Sequence, residues 1–247
     1  MKMSYSVILP TFNENNHIKD LIKSISDIFF SQNILFEILV IDDNSTDGTR
    51  ETVDAFSKIN KFVKIIDRKH KKKNLADSID EGIKSSSYDF IIWMDADFQH
   101  PPKYILEFIK LSKQHNAIIC SRFLSDSERY FNDEKINKKI NENQSYFYNK
   151  LCNFFLFKDL TDYTSGFICL KKQLLNNYSL RGYYGDYFVN LIVHLKLKGV
   201  NIIEIPFKDG LRASGFSKTV VRVDPRYLYL CLRYFFVLAR NIFFKFI

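Results

Sequence analysis

The first hundred residues alternate between short apolar runs and longer stretches with a helical pattern, and this alternation restricts the fold more than any other feature. Strands of about four to six apolar residues that alternate with helices of about 10 to 15 residues are typical of βαβ units. The sequence therefore predicts an α/β fold with a mainly parallel, buried sheet flanked by helices. The apolar runs are 5–9, 37–41, 63–66 and 90–94, and the helical stretches are 13–30, 49–59 and 76–85.

Acidic residues follow two of the four apolar runs. Asp42 and Asp43 end the second run, and Asp95 and Asp97 follow the fourth. Ligands of parallel sheets bind beyond the carboxyl ends of the strands, so both clusters are expected at the ligand-binding edge. Carboxylates at the first cluster can accept hydrogen bonds from ribose hydroxyls or from a base edge, and a helix cap is the alternative.

The second acidic cluster has the composition of a divalent-metal site. Mg²⁺ and Mn²⁺ prefer oxygen ligands and keep coordination positions for water and phosphate. Asp95 and Asp97 offer two carboxylates at one strand end and Gln99 offers an amide oxygen shortly after them, so all three are candidate metal ligands. His100 is expected to support the turn rather than to bind the metal. The alternative for Asp95 and Asp97 is one capping and one solvated carboxylate.

The chain is basic, with 36 Lys and Arg against 28 Asp and Glu and a net charge of +8. This balance favours a partner that carries phosphates, such as a nucleic acid, an anionic membrane or a phosphorylated substrate. Acidic strand ends in the predicted cleft, without a nucleic-acid recognition motif, argue against nucleic acid. Arg212 and Lys218 bracket a small-residue loop that suits a diphosphate, and an ordinary basic surface loop is the alternative.

The second half of the chain has a less regular pattern. Residues 125–143 are almost all polar or charged, which favours a solvated helix face over a mobile lid, and residues 145–157 are strongly aromatic. The four cysteines form no CxxC pair, so we expect reduced thiols in a cytosolic setting. The sequence begins with a strand pattern rather than a signal peptide. These features predict one catalytic domain.

Residues 227–247 are rich in Leu, Phe, Tyr and Val and have about the length of a membrane span. On a helix, Arg226, Arg233 and Arg240 would form one basic stripe beside an aromatic face. This pattern favours a helix that lies in the headgroup plane, with a core helix as the second alternative and a span as the third. We therefore expect a catalytic domain over 1–222 and an amphipathic interfacial helix over 223–247, peripheral to the cytoplasmic face of a membrane.

Seven short segments together resemble a known family, the inverting family 2 glycosyltransferases. Within that family they are most similar to the dolichyl-phosphate (polyprenyl-phosphate) mannose synthases. Each segment alone is a weak signal, and their occurrence in the family's order is a strong one. The segments are 7–14, 40–45, 94–102, 121–123, 162–167, 204–207 and 212–218.

The resemblance implies a GT-A-type fold, a nucleotide-sugar donor, a divalent metal (Mg²⁺ or Mn²⁺) and a polyprenyl-phosphate acceptor. GDP-mannose is the first donor implied, and the alternatives are UDP-glucose as donor or a glycan hydroxyl as acceptor. The residues implied around the nucleoside are Pro10, Phe12, Glu14, Ile41 and Asp43. Those implied beside the ribose, diphosphate and metal are Asp95, Ala96, Asp97 and Gln99, and those implied on phosphates are Arg122, Arg212 and Lys218. Catalysis is expected from Asp97, Arg122, Arg212 and Lys218.

The sequence departs from the family pattern at three positions. Phe12 stands where tyrosine is usual, Asn74 replaces a common glycine, and Asn190 lies nearest to a helix glutamate that is absent. The last change has a chemical interpretation. An alcohol acceptor needs a base to remove its proton, whereas a polyprenyl phosphate is already an anion near neutral pH. The missing carboxylate therefore favours a phosphate acceptor.

Overall fold

The computed structural model describes residues 3–124, 135–182, 185–210 and 225–246. Within these ranges the strands are β1 (Ser4–Thr11), β2 (Leu35–Asp42), β3 (Val63–Asp67), β4 (Phe90–Trp93), β5 (Ala117–Ser121), β6 (Ile168–Lys171) and β7 (Ile202–Pro206). The helices are α1 (Ile18–Ser31), α2 (Thr49–Ile59), α3 (Leu75–Ser85), α4 (Ile105–Leu111), α5 (Lys135–Phe155), α6 (Asp186–Leu197) and α7 (Pro225–Phe246). Short 3-10 helices lie at Pro102–Tyr104 and Lys172–Leu175.

The strands form one sheet in the order β3-β2-β1-β4-β6-β5-β7. The pairs β1–β2, β1–β4, β2–β3 and β5–β7 are parallel, and β6 runs antiparallel to both β4 and β5. The predicted mainly parallel sheet is therefore confirmed. The sequence did not predict the reversed strand β6.

Apolar side chains cover both faces of the sheet, which is why its strands are almost continuously apolar. Along β1, Val7 and Leu9 pack on one face with α1 and α4, and Ile8 packs on the other with α3 and α6. Gly82 in α3 allows that helix to lie close to β1, because a Cβ there would stand 2.5 Å from a methyl group of Ile8.

Most predicted elements match the structure, and α1 is the main exception. It begins at Ile18 rather than near Asn13, because Asn13 has a φ of 58° and belongs to a polar loop. In that loop the Asn13 amide N–H donates to the Ser45 hydroxyl (2.9 Å), and the Asn15 amide N–H donates to Asp47 (3.0 Å). The loop between β1 and α1 is therefore tied to the loop between β2 and α2.

Two other predictions are tested only in part. Cys120, Cys152 and Cys169 are free and buried, as expected for core thiols, and the side chain of Cys231 lies outside the described residues. Of the polar stretch 125–143, residues 125–134 lie outside the described ranges and the remainder belongs to α5.

The C-terminal helix α7 packs against α6. Val237 and Leu238 enter the core on this face, while Phe236 on the opposite side is 66% exposed. Arg240 donates a hydrogen bond to the Asn190 side chain of α6, so this member of the predicted arginine stripe faces the fold. Among the described residues, no helix combines the length and the apolar content that crossing a membrane would require.

Candidate active site

The carboxyl ends of β1, β2 and β4 lie side by side at one edge of the sheet. Thr11 at the end of β1 is in register with Asp42 at the end of β2. The amide N–H of Met94, just after β4, donates to the carbonyl of Ile8 in β1. The segments that follow these strands, 12–14, 43–49 and 95–100, therefore meet at this edge, where sequence analysis expected a ligand.

The two aspartates after β2 have different environments. Asp42 is fully buried and accepts hydrogen bonds from the amide N–H (3.0 Å) and the hydroxyl of Ser45, so it stabilises its own turn. Asp43 instead accepts from the Arg68 guanidinium (2.8 Å) and from the amide N–H of Asn74 (2.9 Å). Burial raises the pKa of Asp43, and the neighbouring Arg68 opposes that rise. Asp42 thus stabilises the turn after β2 and is not the cap of α2, whose N-cap residue is Gly48, and Asp43 remains the candidate ligand group.

Asn74 has a structural reason to replace glycine. Its backbone is extended, its side-chain oxygen accepts from the amide N–H of Ala76 at 3.1 Å, and it caps the start of α3. Its own amide N–H reaches Asp43, so one residue both starts the helix and orients the carboxylate.

The remaining residues predicted around the nucleoside also lie at this edge. Pro10 and Ile41 are register partners in β1 and β2. The Lys73 ammonium lies 3.5 Å from the centroid of the Phe12 ring, a close cation–π contact. Glu14 pairs with His17 at 2.9 Å.

The turn after β4 carries the candidate metal ligands. The amide N–H of Gln99 donates to the Asp97 carboxylate at 3.0 Å, and Phe98 between them has a φ of 66°. Gly210 closes this turn, because its amide N–H donates to the Gln99 carbonyl at 2.9 Å. A Cβ at Gly210 would stand 2.1 Å from the carbonyl oxygen of Phe98, so glycine is required for this approach.

His100 supports the turn from beneath. Its ring stacks on Phe167 at 4.8 Å, and its Nδ1 accepts the amide N–H of Asp95 at 2.9 Å. Burial lowers the pKa of His100 to about 4, so the imidazole is neutral near pH 7. Because its Nδ1 atom accepts the Asp95 amide N–H, His100 stabilises the turn after β4, as the sequence indicated.

The donor atoms on this turn suit a hard divalent cation. Asp97 supplies a carboxylate that is 5% exposed, and half-buried Gln99 supplies an amide oxygen. Among the described residues, no group of three or more His, Cys, Asp or Glu side chains forms a metal cluster. Two protein oxygens leave positions for diphosphate and water, which is the arrangement that Mg²⁺ prefers. Metal binding by Asp97 and Gln99 remains a prediction.

Arg122 lies just after β5 in a network that the sequence did not reveal. Its Nε and Nη2 atoms donate to the two carboxylate oxygens of fully buried Asp162 at 2.8 and 2.9 Å, and Nη2 also donates to Thr164. Glu204 accepts the amide N–H groups of Thr161 and Asp162, and burial raises the pKa of Glu204. Three segments that are distant in sequence, 121–123, 162–167 and 204–207, therefore meet. That Arg122 faces phosphates remains a prediction.

Some predicted site residues cannot be placed. Arg212 and Lys218 lie outside the described residues, although Gly210, directly before their segment, contacts the Gln99 turn. Asn190 lies in the first half of α6. Its side-chain nitrogen donates to the carbonyl of Arg181 at 2.8 Å, and its oxygen accepts from Asn241 of α7 at 2.9 Å, so it connects two helices.

Sequence reasoning missed Arg68, whose side chain is 3% exposed and which contacts Asp43. It directly precedes the run Lys69 to Lys73, and a run of like charges is typical of a solvated surface segment. The available signal was its position immediately after a strand, at the same edge of the sheet as the acidic clusters.

Comparison with known proteins agrees with this geometry. The profile described as "Glycosyl transferase family 2" matches residues 6–179. A dolichol-phosphate mannosyltransferase of Pyrococcus furiosus is 32% identical over 227 residues, which are 87% of this chain and 59% of that protein. A dolichol-phosphate mannosyltransferase of Mycosarcoma maydis is 29% identical over 235 residues, 91% of this chain and 76% of that protein. The chain therefore spans about three fifths of the length of the Pyrococcus relative.

A crystal structure of glucosyl-3-phosphoglycerate synthase from Mycobacterium tuberculosis, in complex with Mn²⁺, UDP-glucose and phosphoglyceric acid, has a TM-score of 0.70 to this chain. It is 15% identical, and the match covers 97% of this chain and 80% of that one. At this identity the likeness concerns the fold alone, and it confirms the predicted GT-A-type fold. With the family profile matching well over half of the sequence, the chain belongs to the family 2 glycosyltransferases.

Proposed function

We propose that this glycosyltransferase transfers mannose from GDP-mannose to the phosphate of a polyprenyl phosphate. The observation that carries the proposal is that Asp43 and the Asp97–Gln99 turn follow β2 and β4 at the same edge of the sheet, where Arg68 orients Asp43 and the Gln99 amide N–H orients Asp97. Two relatives, at 32% and 29% identity, are dolichol-phosphate mannosyltransferases, which supports mannose as the transferred sugar and a polyprenyl phosphate as the acceptor.

The donor would bind across the ends of β1, β2 and β4. Pro10, Phe12, Glu14, Ile41 and Asp43 would surround the nucleoside, and Asp95 and Ala96 would lie beside the ribose and diphosphate. Asp97 and Gln99 would hold Mg²⁺ or Mn²⁺, which supplies positive charge to the departing diphosphate. Arg122, Arg212 and Lys218 would contribute cationic contacts to the phosphates of donor or acceptor.

The acceptor's chemistry makes a protein base unnecessary. An oxygen of the acceptor phosphate attacks the anomeric carbon, the bond from that carbon to the diphosphate oxygen breaks, and the configuration inverts. The nucleophile is already an anion near neutral pH. Asn190, the residue nearest to the helix carboxylate of the family pattern, is consistent with this choice, because its amide connects α6 with Arg240 and Asn241 of α7. Asp186 at the start of the same helix is the alternative residue for that carboxylate.

We also propose that the enzyme is peripheral to a membrane, at its cytoplasmic face. A polyprenyl phosphate keeps its tail in the bilayer and its phosphate at the headgroup level, so the active site must lie near that plane. Phe235, Phe236, Phe243 and Phe244 of α7 are each about half or more exposed, and the net charge of +8 favours anionic lipids.

A donor screen tests the proposal. The full chain would be incubated with GDP-mannose, GDP-glucose or UDP-glucose, with Mn²⁺ or Mg²⁺, and with a polyprenyl phosphate, and product would be counted in the lipid phase. We expect transfer from GDP-mannose to the polyprenyl phosphate and none to the corresponding polyprenol, which lacks the phosphate. Preferential transfer from UDP-glucose would replace the donor, and transfer to a glycan hydroxyl alone would replace the acceptor.

The same assay needs a pair of matched variants to show that transfer depends on the turn after β4. Asp97→Ala removes a candidate metal ligand, and Asp67→Ala removes a carboxylate at the end of β3 that pairs with Arg50 on the surface. We expect the first variant to lose transfer and the second to retain it. Equal activity of both variants would contradict the proposed site.

A further inference from the structure

A half-buried carboxylate on the edge strand β7 holds the segment that contains Asp162. The two oxygens of Glu204 accept the main-chain N–H of Thr161 at 2.9 and 2.8 Å, and the Thr161 hydroxyl donates to one of them at 3.0 Å. The main-chain N–H of Asp162 also donates to Glu204, at 2.9 Å. One carboxylate on β7 therefore fixes the backbone of two successive residues.

Asp162 in turn fixes the side chain of Arg122. Besides the two guanidinium contacts described above, its fully buried carboxylate accepts the main-chain N–H groups of Arg122 at 3.1 Å and of Thr164 at 3.0 Å. This carboxylate and the Thr164 hydroxyl hold the guanidinium in one plane, and 26% of the Arg122 side chain is exposed. Glu204, Asp162 and Arg122 thus form a positioning chain that runs from β7 to the end of β5.

The positioning chain ends on the side of the sheet edge that a donor sugar would face. In the sheet order β6 separates β4 from β5, and neighbouring strands lie about 4.8 Å apart, so the end of β5 is on the order of 10 Å beyond the turn after β4. The nucleoside half of the proposed donor site lies on the other side of that turn, at the ends of β1 and β2. A donor whose diphosphate binds at the turn would therefore direct its sugar toward β5 and Arg122.

We propose that Glu204 is a positioning residue for the acceptor, acting through the segment 161–162 and Asp162 on Arg122. Glu204 and Asp162 touch no substrate themselves. They set the plane in which the Arg122 guanidinium meets the acceptor phosphate. This inference rests on the proposed function, and it adds Glu204 and Asp162 to the residues on which acceptor binding depends.

The positioning chain depends on a carboxylate at position 204. Its two oxygens only accept hydrogen bonds, which matches the N–H and O–H donors that face it, whereas a carboxamide would turn an NH₂ group toward one of those donors. Burial raises the pKa of Glu204, and the neighbouring Asp162 adds to that rise. Ionising one carboxylate beside another buried one is unfavourable, and this supports a role for Glu204 in the site rather than in folding alone.

Glu37 provides a matched control near the opposite edge of the sheet. It also lies on a strand, is 3% exposed, and accepts the main-chain N–H of Ser87 at 2.6 Å and the hydroxyl of Ser6 at 2.7 Å. Because β2 begins at Leu35, Glu37 lies near the amino end of that strand, away from the proposed substrates. Glu204→Gln and Glu37→Gln therefore make the same substitution in similar surroundings, and only the first alters the positioning chain.

The experiment measures steady-state transfer from GDP-mannose to farnesyl phosphate, a short polyprenyl phosphate, with Mn²⁺ present. Each substrate is varied while the other is saturating, and GDP binding is measured by isothermal titration calorimetry. We expect Glu204→Gln to raise the KM for farnesyl phosphate about tenfold, because the hydrogen bonds that orient a charged group are weakened. The KM for GDP-mannose and the Kd for GDP should stay within about twofold, and Glu37→Gln should leave all three values within about twofold.

A double-mutant cycle with Arg122 distinguishes positioning from a merely structural role. If Glu204 acts through Arg122, adding Glu204→Gln to Arg122→Lys should change the acceptor KM by less than about twofold, because the same contact is already impaired. Independent effects would instead multiply, since the contributions of uncoupled sites add in free energy. A rise of about tenfold in both backgrounds would overturn the inference.

If Glu204→Gln does not fold, Thr161→Val decides the inference by the same measurements. It removes the hydroxyl that donates to Glu204 and keeps the main-chain N–H. We expect the acceptor KM to rise about threefold in the wild-type background and to stay unchanged in Arg122→Lys. An unchanged acceptor KM in the wild-type background would contradict the positioning chain.

The outcomes separate this inference from the proposed function. Transfer by the wild type, with equal acceptor KM values for Glu204→Gln and Glu37→Gln, would overturn the positioning chain and leave the proposed function intact. Equal rises in the KM for GDP-mannose and for farnesyl phosphate would also overturn it, since Arg122 would then serve the donor as well. If the wild type binds GDP but transfers mannose neither to farnesyl phosphate nor to longer polyprenyl phosphates, the proposed acceptor and the inference are both wrong.

Discussion

Polar groups have different roles in two regions of the molecule. One is the edge formed by the carboxyl ends of β1, β2 and β4, the donor edge, and the other is the surface formed by α6 and α7, the α7 face. At the ends of β2 and β4, carboxylates such as Asp43 and Asp97 are oriented by N–H groups of the residues that follow them. On the α7 face, polar side chains join one element to another, as Asn190 does between α6 and α7. Large apolar side chains, Phe236 among them, face outward there.

This difference between the donor edge and the α7 face bears on which region suits a polar substrate and which suits lipid contact. A buried carboxylate that is held by main-chain N–H groups is costly to desolvate, and it needs exact partners to remain ionised. Exposed phenylalanines instead gain free energy only when another apolar phase covers them. The donor edge therefore has the properties of a polar ligand site, whereas the α7 face has an exposed apolar surface, which the proposed membrane contact would cover.

The largest effect is expected at the donor edge. Asp97→Ala should lower turnover by about 10²–10³-fold or more, because the loss of one preorganised electrostatic contact to the leaving group costs roughly that much. The fold should persist, since the Asp97 side chain is bonded within its own turn to the Gln99 amide. Steady-state rates with Mn²⁺, and thermal melting to check folding, provide the measurement. Undiminished activity in excess EDTA would show that this edge needs no metal.

The next effect concerns His100 and the pH dependence of stability. Its pKa of about 4 in the folded protein lies below the value of 6.5 that an exposed imidazole has. Between these pH values the unfolded chain binds more protons, so stability is complete above pH 6.5 and falls as the pH drops toward 4. The loss is on the order of 3 kcal/mol. Burial causes this shift, and it outweighs the nearby charges Asp97, Asp162 and Asp209, while Arg122 acts in the same direction.

His100→Asn separates this contribution from other titrating groups. An asparagine oxygen can replace Nδ1 as acceptor for the Asp95 amide N–H, but it does not titrate. We expect urea unfolding at pH 7.5 and pH 5 to show a smaller difference for this variant than for the wild type. His115→Asn, which changes a half-exposed histidine, should keep the wild-type difference. An unchanged difference in His100→Asn would contradict the buried neutral imidazole.

The same comparison explains what the sequence could and could not predict. Strands β1, β2 and β4 were predictable because they are buried on both faces and therefore mostly apolar. The start of α1 was wrong because local side-chain hydrogen bonds, such as that from Asn13 to Ser45, compete with a helix. These are short-range effects within the loops that follow β1 and β2.

Contacts between distant segments were beyond sequence reasoning. Arg122 and Asp162 are 40 positions apart, and nothing in either segment indicates a bidentate pair. Arg68 resembled part of a solvated basic run, although it is one of the most buried charged residues. Charge at the sequence level does not distinguish a paired buried guanidinium from a surface one, because only the fold brings the partner carboxylate to it.

Arg122→Lys tests the buried ion pair between Arg122 and Asp162. The lysine keeps the charge but cannot make both contacts to the buried Asp162 carboxylate. We expect the free energy of unfolding to fall by about 1.5–3 kcal/mol, as for hydrogen bonds to charged groups. Arg50→Lys, in the exposed pair with Asp67, should cost less than about 0.5 kcal/mol. Chemical denaturation gives both values, and a similar cost for the two variants would contradict the buried network.

The smallest effect is expected on the α7 face, where removing the whole helix is the wrong test. Truncation after Arg226 would remove Val237 and Leu238 from the core as well as the exposed face, so loss of folding would obscure loss of membrane binding. Phe243→Ser with Phe244→Ser changes side chains that are 63% and 53% exposed, and it leaves the buried face of α7 intact.

This double variant should bind anionic liposomes about three- to tenfold more weakly than the wild type, because two partly immersed phenyl rings lose apolar transfer energy. Added salt should weaken binding of both proteins without abolishing it, since screening acts on the basic residues and not on the rings. Activity on a short, water-soluble acceptor should be unchanged, whereas activity on a liposome-embedded acceptor should fall. Ile59→Ser with Leu106→Ser, at exposed positions of α2 and α4, is the matched control and should co-sediment like the wild type. If the Phe243 and Phe244 double variant co-sediments equally well, the α7 face does not hold the enzyme on the membrane.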